Sequence, residues 1–331
     1  MSINIFSPTW EIQDSYGRIA NELAAYASAT MHVNPFGFAA PKKVIVPAFG
    51  GILLGYPTIY PTFPEIANIG KRVAVTMFES DCIPDAWTWV LDSVDEIVVP
   101  SSWLVKVFRK AGVKKPIHVV PLGVSEVFKN VHRESQTDRP FTVMAIADRG
   151  ERKAWHKAAF AFYRAFGDDE RYQLILKCRD GAIAEEFTGL SNPNIRFLQA
   201  DYSDEEMAAL YASVDVMLFL SSGEGFGLPP REFAASGGIA LVTDWSGLHD
   251  DADQWAFPLP YTLVPAWQHD DKNYNLGMWA DVDLDAASRL LTEIAGWDSA
   301  YRLSMGAQFA QRARRYDWKE FAQHVIDIWS A

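Results

Sequence analysis

Cysteine is almost missing from this chain: of 331 residues only Cys82 and Cys178 carry a thiol. Two thiols so far apart match no metal-ligand spacing, and a disulfide framework needs more of them, which points to a reducing compartment. Long apolar runs are missing too. None approaches the roughly 18 residues that a membrane-spanning helix needs, and the start, Met-Ser-Ile-Asn-Ile-Phe, has neither a basic region nor an extended hydrophobic one. A cytoplasmic protein with no transmembrane segment is expected. Positive charge is in deficit, 30 Lys and Arg against 42 Asp and Glu, for a net charge of -12. Such a field disfavours nucleic acid as a partner, although a local basic patch on one face could still bind it. Internal repeats and low-complexity tracts do not occur. The seven histidines, at 32, 118, 132, 156, 249, 269 and 324, have no zinc-protease spacing. Asp250 to Asp253 imitates an Asp-x-Asp metal site without that motif's context, so no metal ligand is expected.

What is present describes a folding chain. Hydrophobic residues make up 49% and charged residues 22%, the proportions of a globular protein. The length exceeds one ordinary core and suits two α/β domains with a cleft between them. Short apolar runs rich in branched residues alternate with segments of helical period, the signature of parallel strands joined by crossover helices. Strands are expected at 43–48, 73–78, 95–99, 118–122, 141–147, 172–177, 216–220 and 239–243. A helix should begin at Ser203, where Glu206 completes a capping box and Met207, Leu210, Tyr211 and Val214 share a face. Residues 317–331 read as an amphipathic helix with Phe321, Val325, Ile328 and Trp329 on or near one side. The stretch KNVHRESQTDRP is polar, ends in proline and lacks apolar period, as a domain linker does.

The most informative segment is SSGEGFGLPPREFAASGGIALVTD, residues 221–244, running from one expected strand through a helix into the next. Gly225 and Gly227 let the backbone approach a ligand closely. Pro229 and Pro230 suit a helix start, where their missing amide protons cost nothing. The free amides there, with the helix dipole, make an anion site. Glu224 precedes this loop and Glu232 comes about one turn into the helix, so two carboxylates can flank one ligand. A carboxylate accepting two hydrogen bonds from vicinal hydroxyls reads a sugar.

EGFGLPPRE resembles the E-x7-E signature of the family-four GT-B glycosyltransferases, intervening residues included. AASGGIALVTD is similar to the family's small-Gly helix end and the strand after it, with Trp245-Ser246-Gly247 in place of the usual small-residue loop. SDEEMAALYASVDVMLFLSS resembles the helix and strand before the signature, and NIRFLQA the strand before those. GMWADVDLDAASRLLTEIA is similar to a later helix, and the ending with Tyr316, Asp317 and Trp318 to the closing helix that crosses back to the first domain. Upstream, residues 78–124 resemble the end of the first domain, including Pro-Leu-Gly-Val at the hinge. The likeness covers roughly residues 73–331.

The resemblance implies an α/β protein of GT-B architecture, two Rossmann-like domains with parallel sheets facing a central cleft. The acceptor-side domain would be 1–130, the nucleotide-sugar domain 131–315, and the crossing helix 316–331. It implies a transferase that moves a sugar from a nucleotide diphosphate with retention of configuration, without metal or other cofactor. The donor would be UDP-, GDP- or ADP-linked, and the acceptor a small molecule, a glycan or a lipid-linked sugar.

The resemblance also assigns residues. Arg149 or Arg152, together with Lys153, would grip the departing diphosphate, since RKAWHKAAFAFYRAF is similar to the family's cation-bearing helix start. Glu224 would hold the transferred sugar and Glu232 the ribose, while amides at Gly225, Phe226, Gly227 and Leu228 face the phosphates. Gly17, in Ser-Tyr-Gly-Arg before a helical stretch, resembles the first-domain glycine loop that closes over the donor. The family's usual histidine is missing, and Glu79 within Phe-Glu, with Ile83-Pro84 nearby, takes the acceptor side. Two alternatives remain open: glycosylation of modified DNA bases, and a nucleotide-sugar-binding module without transfer activity.

Overall fold

Runs of branched apolar residues pair into two sheets, each six-stranded and each parallel throughout. The computed structural model describes residues 2–37, 50–134, 138–147, 150–179, 192–267 and 275–331, and elements are numbered over these. They fall into two compact units, Met1–Gly123 with Tyr316–Ala331, and Val124–Arg315.

In the first unit the sheet order is β2-β1-β3-β4-β5-β6. The strands are β1 (Ser2–Phe6), β2 (His32–Phe36), β3 (Gly50–Leu54), β4 (Lys71–Val75), β5 (Glu96–Val99) and β6 (Ile117–Val119). Ile3, Ile5, Ile52, Leu53, Val73, Ile97 and Val99 are buried, as near-continuous apolar strands covered on both faces must be. Three helices cross over: α1 (Ser15–Ala27), α2 (Asp85–Leu91) and α3 (Ser102–Lys110). The last helix of the chain belongs here too, burying Phe321, Val325 and Trp329. Its first turn lies directly on Gly123, where a Cβ would stand 2.2 Å from the Trp318 nitrogen.

In the second unit the order is β12-β11-β10-β7-β8-β9. These are β7 (Phe141–Ile146), β8 (Tyr172–Cys178), β9 (Ile195–Gln199), β10 (Val216–Phe219), β11 (Ile239–Thr243) and β12 (Phe257–Leu259). An antiparallel pair, β13 (Tyr261–Pro265) and β14 (Met278–Val282), lies outside the sheet. The helices are α4 (Glu126–Lys129), α5 (Trp155–Phe166), α6 (Asp204–Ala212), α7 (Leu228–Ala235), α8 (Ala252–Trp255), α9 (Leu284–Gly296) and α10 (Ser299–Ala313), and the closing helix is α11 (Trp318–Ser330). Val143, Leu174, Leu218 and Leu241 form the core with Phe162 and Leu291 packed on it. The expected capping box is present: Glu206 N donates to Ser203 Oγ at 3.3 Å, and Ser203 N to Glu206 Oε2 at 2.8 Å.

Several sequence expectations are revised. The strand expected at 43–48 lies outside the described residues, and β3 at Gly50–Leu54 was not anticipated. The helix expected from Gly277 starts only at Leu284, because Asp283 caps it by accepting from Ala286 N at 2.9 Å, and Met278–Val282 is a strand instead. The division falls at Gly123 rather than 130. Phe128 packs against Tyr211, ring centroids 5.5 Å apart, which ties α4 to the second unit.

The polar stretch behind α4 is anchored as well. Arg133 donates to the carbonyls of Ser236 at 2.8 Å, Val214 at 2.6 Å and Tyr211 at 2.6 Å, at the C-terminal ends of α6 and α7. Its burial draws the guanidinium pKa down to about 10. No helix among the described residues is long and apolar enough to cross a membrane.

Candidate donor site of the second unit

Parallel strands present their C-terminal ends to one edge, and a crevice opens where the strand order reverses. In the second unit the chain proceeds from β7 to β8 and β9 on one side, then returns to β10 on the other. The reversal therefore falls between β7 and β10, and the segments leaving those two strands carry Arg152, Lys153 and Glu224.

The structure brings these three together. Glu224 Oε1 accepts from Lys153 Nζ at 2.7 Å, Arg152 Nη1 at 2.9 Å and Ser221 Oγ at 2.7 Å. Glu224 is 7% exposed. Burial pushes its carboxyl up, but the charges of Lys153 and Arg152, with the hydrogen bonds from Lys153 and Ser221, outweigh burial and hold it below the ordinary carboxylate range. Among the described residues no hydrogen bond is recorded to Oε2, which leaves one oxygen of this carboxylate for a hydroxyl.

The two loops are stitched by backbone. Ser222 N donates to the Arg152 carbonyl at 2.7 Å, and Arg152 Nη1 returns a bond to the Gly223 carbonyl at 2.7 Å. Lys153 also lies 5.3 Å above the Phe219 ring. Arg149 lies outside the described residues.

A third loop braces the first. Ser246 adopts φ 61, and its hydroxyl accepts from Glu224 N at 2.8 Å, while Gly247 N donates to the Glu224 carbonyl at 2.9 Å. Gly247 must be glycine, since a Cβ there would stand 2.1 Å from the Gly225 carbonyl oxygen. Gly227 takes a left-handed φ of 81 as the N-cap of α7, with Pro229 and Pro230 in the first turn. Among the described residues no acceptor is recorded for the amides of Gly225, Gly227 and Leu228. Glu232 is 8% exposed, on the second turn of α7. Asp251, in the acidic stretch that imitates a metal motif, accepts instead from Arg231 at 2.8 Å, from Trp255 Nε1 at 3.0 Å and from Arg315. No group of three or more His, Cys, Asp or Glu able to hold a metal occurs among the described residues.

In the first unit Gly17 and Glu79 also lie beyond the C-terminal ends of strands, β1 and β4. Gly17 N donates to Asp14 Oδ1 at 3.2 Å, and a Cβ on it would stand 2.0 Å from the Glu11 carbonyl oxygen, so close chain approach alone demands a glycine. Glu79 accepts from the Tyr56 hydroxyl at 3.0 and 3.3 Å. The Tyr56 ring is held by Trp87 at 5.1 Å, Tyr16 at 5.9 Å and Phe78 at 6.1 Å. Burial, and next the Glu79 charge, raise the Tyr16 phenol well above its usual pKa.

No protein-family profile matches the chain. Over 123 residues it is 33% identical to an MMP alpha-(1->4)-mannosyltransferase of Mycolicibacterium hassiacum, covering 37% of this chain and 29% of that protein. The match thus spans less than a third of that relative's length. Solved structures align over far more. A sucrose-phosphate synthase of Thermosynechococcus elongatus superimposes with a TM-score of 0.75 at 14% identity, covering 100% of this chain and 98% of that one. The chain has the GT-B fold. An Anabaena protein in complex with UDP-glucose gives 0.71 at 13% identity, covering 100% and 99% of the two chains. An E. coli trehalose-6-phosphate structure bound with UDP-2-fluoro glucose gives 0.70 at 11%, covering 99% and 98%. At these identities the shared property is the GT-B fold itself, on which the residues of each site must be read separately.

Sequence reasoning did not single out Ser221, Ser246, Arg231 or Tyr56. Ser221 and Arg231 lie inside the 221–244 motif segment, and a charged residue on a short, buried helix was the available signal for Arg231. Tyr56 lies in a stretch, 18–72, that carries no readable motif.

Proposed function

We propose that this chain is a retaining glycosyltransferase that takes a sugar from a nucleotide diphosphate. The observation that carries the reading is the cluster of buried Glu224 with the half-buried Arg152 and Lys153 at the reversal point of the second sheet, beside the amide-rich start of α7. Two cations there can neutralise a diphosphate as its bond to the sugar breaks, which is where charge accumulates. The amides of Gly225, Phe226, Gly227 and Leu228 add preorganised donors. Glu224 accepts hydroxyls of the transferred sugar, and Glu232 those of the ribose.

In the transfer, an acceptor hydroxyl oxygen bonds to the anomeric carbon as the carbon–phosphate oxygen bond breaks, on the same face of the ring. The nucleoside diphosphate leaves, and the hydroxyl proton goes with it. With the cations supplied by side chains, the step calls for no metal. On this reading Gly17, in the first turn of α1, is assigned to the donor phosphates, and Glu79, to which the Tyr56 hydroxyl donates, to the acceptor. Two of the fold neighbours were solved with UDP sugars, so UDP is the first nucleotide to test.

A thermal-shift screen against UDP, GDP, ADP and their sugar conjugates, with and without EDTA, tests the reading, since a ligand selective for the native state raises Tm. Stabilisation by one nucleoside diphosphate, insensitive to EDTA and lost in Glu232→Ala, is the expected result. Absence of any shift would overturn it.

A further inference from the structure

Between Glu224 and Glu232 lies a charged residue that the proposed chemistry leaves unused. Arg231 is 1% exposed. Its guanidinium is packed against the rings of Phe226 at 4.0 Å and Trp255 at 4.6 Å. Nη1 donates to the carbonyls of Phe226 and, at 3.3 Å, Gly227; Nη2 donates to the Gly247 carbonyl at 3.3 Å and to Asp251 Oδ1 at 2.8 Å. Asp251 is fixed in turn by Trp255, which donates to the same oxygen, and by Arg315, which donates to Oδ2.

Burying an arginine is costly, and this one is spent on backbone carbonyls of the two loops that bracket Glu224. Each carbonyl belongs to a planar trans peptide, in which the next amide N–H points the opposite way. Every peptide bond here is trans. With the carbonyls of Phe226 and Gly227 turned onto the guanidinium, the N–H groups of Gly227 and Leu228 are therefore turned away from it. Pro229 and Pro230 contribute no N–H, so these two amides are what the start of α7 offers an anion.

We propose that Arg231 is a positioning residue for the donor diphosphate: from inside the protein it locks the two peptide planes whose amides face the phosphates. The proposal rests on the nucleotide-sugar reading above and adds the device that makes the loop rigid. A side chain of equal bulk without the forked donors leaves the loop packed but its peptides free to rotate. Lysine, with a single ammonium, can hold some of the carbonyls and not all.

The test is calorimetric titration of wild type, Arg231→Met and Arg231→Lys with UDP and with UMP, or with the guanosine or adenosine pair if the screen selects it. Base and ribose contacts are common to both ligands, and the second phosphate is the difference. Arg231→Met should lose roughly tenfold or more in affinity for the diphosphate and less than about twofold for the monophosphate, with Arg231→Lys between. If Arg231→Met does not fold, Asp251→Asn, which loosens the guanidinium and keeps the packing, should show the same selective loss at about threefold. Equal losses for both nucleotides, or none, overturn the proposal while leaving nucleotide binding intact. Wild type binding neither nucleotide would instead remove the nucleotide-sugar reading, and this proposal with it.

Discussion

Glu224→Gln preserves side-chain shape and deletes one charge from between two cations, at 2.7 Å from Lys153 and 2.9 Å from Arg152. Removing one partner of a fully buried ion pair costs about 3–5 kcal/mol. Here the Lys153 and Arg152 side chains retain 14% and 23% exposure, so water takes up part of the stranded charge. A loss of about 2–3 kcal/mol is expected, roughly 5–10 °C in Tm for a domain of this size.

The pH dependence has a definite sign. The folded pKa of Glu224 is depressed, so its stabilisation is complete above the unfolded carboxyl's value of about 4.3 and is lost as pH falls through the lower folded value. The gap between wild type and Glu224→Gln should be wide at pH 7 and close on acidification below about pH 4. Nucleotide affinity should move the other way. A diphosphate entering the variant meets two cations that no carboxylate neutralises, so UDP, or the diphosphate selected by screening, should bind about 3–10-fold tighter even as transfer is lost. Fluorimetric melting from pH 3 to 8, combined with calorimetric titration, reads both effects. A variant with wild-type Tm at pH 7 and weakened diphosphate binding would refute the charge argument.

Three further substitutions separate other parts of the design. Gly247→Ala sets a Cβ against the Gly225 and Glu224 carbonyls, all backbone, so the loop must move; about 2–4 kcal/mol of destabilisation in chemical denaturation is expected, and wild-type stability would contradict the close approach. Tyr56→Phe removes the donor to Glu79 and should slow transfer roughly tenfold while leaving nucleoside diphosphate affinity within about twofold; a loss confined to nucleotide binding would exclude an acceptor role. Arg133→Met strands three carbonyls at the ends of α6 and α7 and should cost about 3–5 kcal/mol in denaturant titration, whereas a loss below about 1 kcal/mol would mean water replaces the guanidinium there.

The second unit was legible in the sequence because its folding signals and its candidate site lie on the same segments. Short branched runs such as FTVMAI and IALVT, set between helical segments, favour the inside of a parallel sheet, and Ser203 with Glu206 marks a helix start within four residues. Glu224, Lys153 and Arg152 could be placed near one another because each comes after a strand of known direction. What could not be read was the bracing that fixes them. The Ser246 hydroxyl reaches Glu224 N across 22 positions of sequence, and nothing local marks it as a partner. Arg231 has the charge of a solvated helix residue, although it is among the most buried side chains of the molecule. In the first unit β1 and β2 are short, one contains Asn4 and the other Asn34 and Pro35, and β3 opens on two glycines, so apolar periodicity was too weak to reveal these three strands, none of which was expected. The Tyr56–Glu79 pair depends on two such loops and was invisible for that reason.

The contact of Gly123 with Trp318 means that the chain leaves the first unit and re-enters it at adjacent points, with 124–315 between. The order of synthesis then inverts the order of completion. A ribosome finishes every residue of the second unit before it makes α11, the helix that buries Phe321, Val325 and Trp329 in the first. The sheet begun first must wait, with the apolar surface under α11 uncovered, until that helix emerges. A premature stop between Arg315 and Phe321 would therefore leave the second unit whole and strip the covering helix from the unit made earliest.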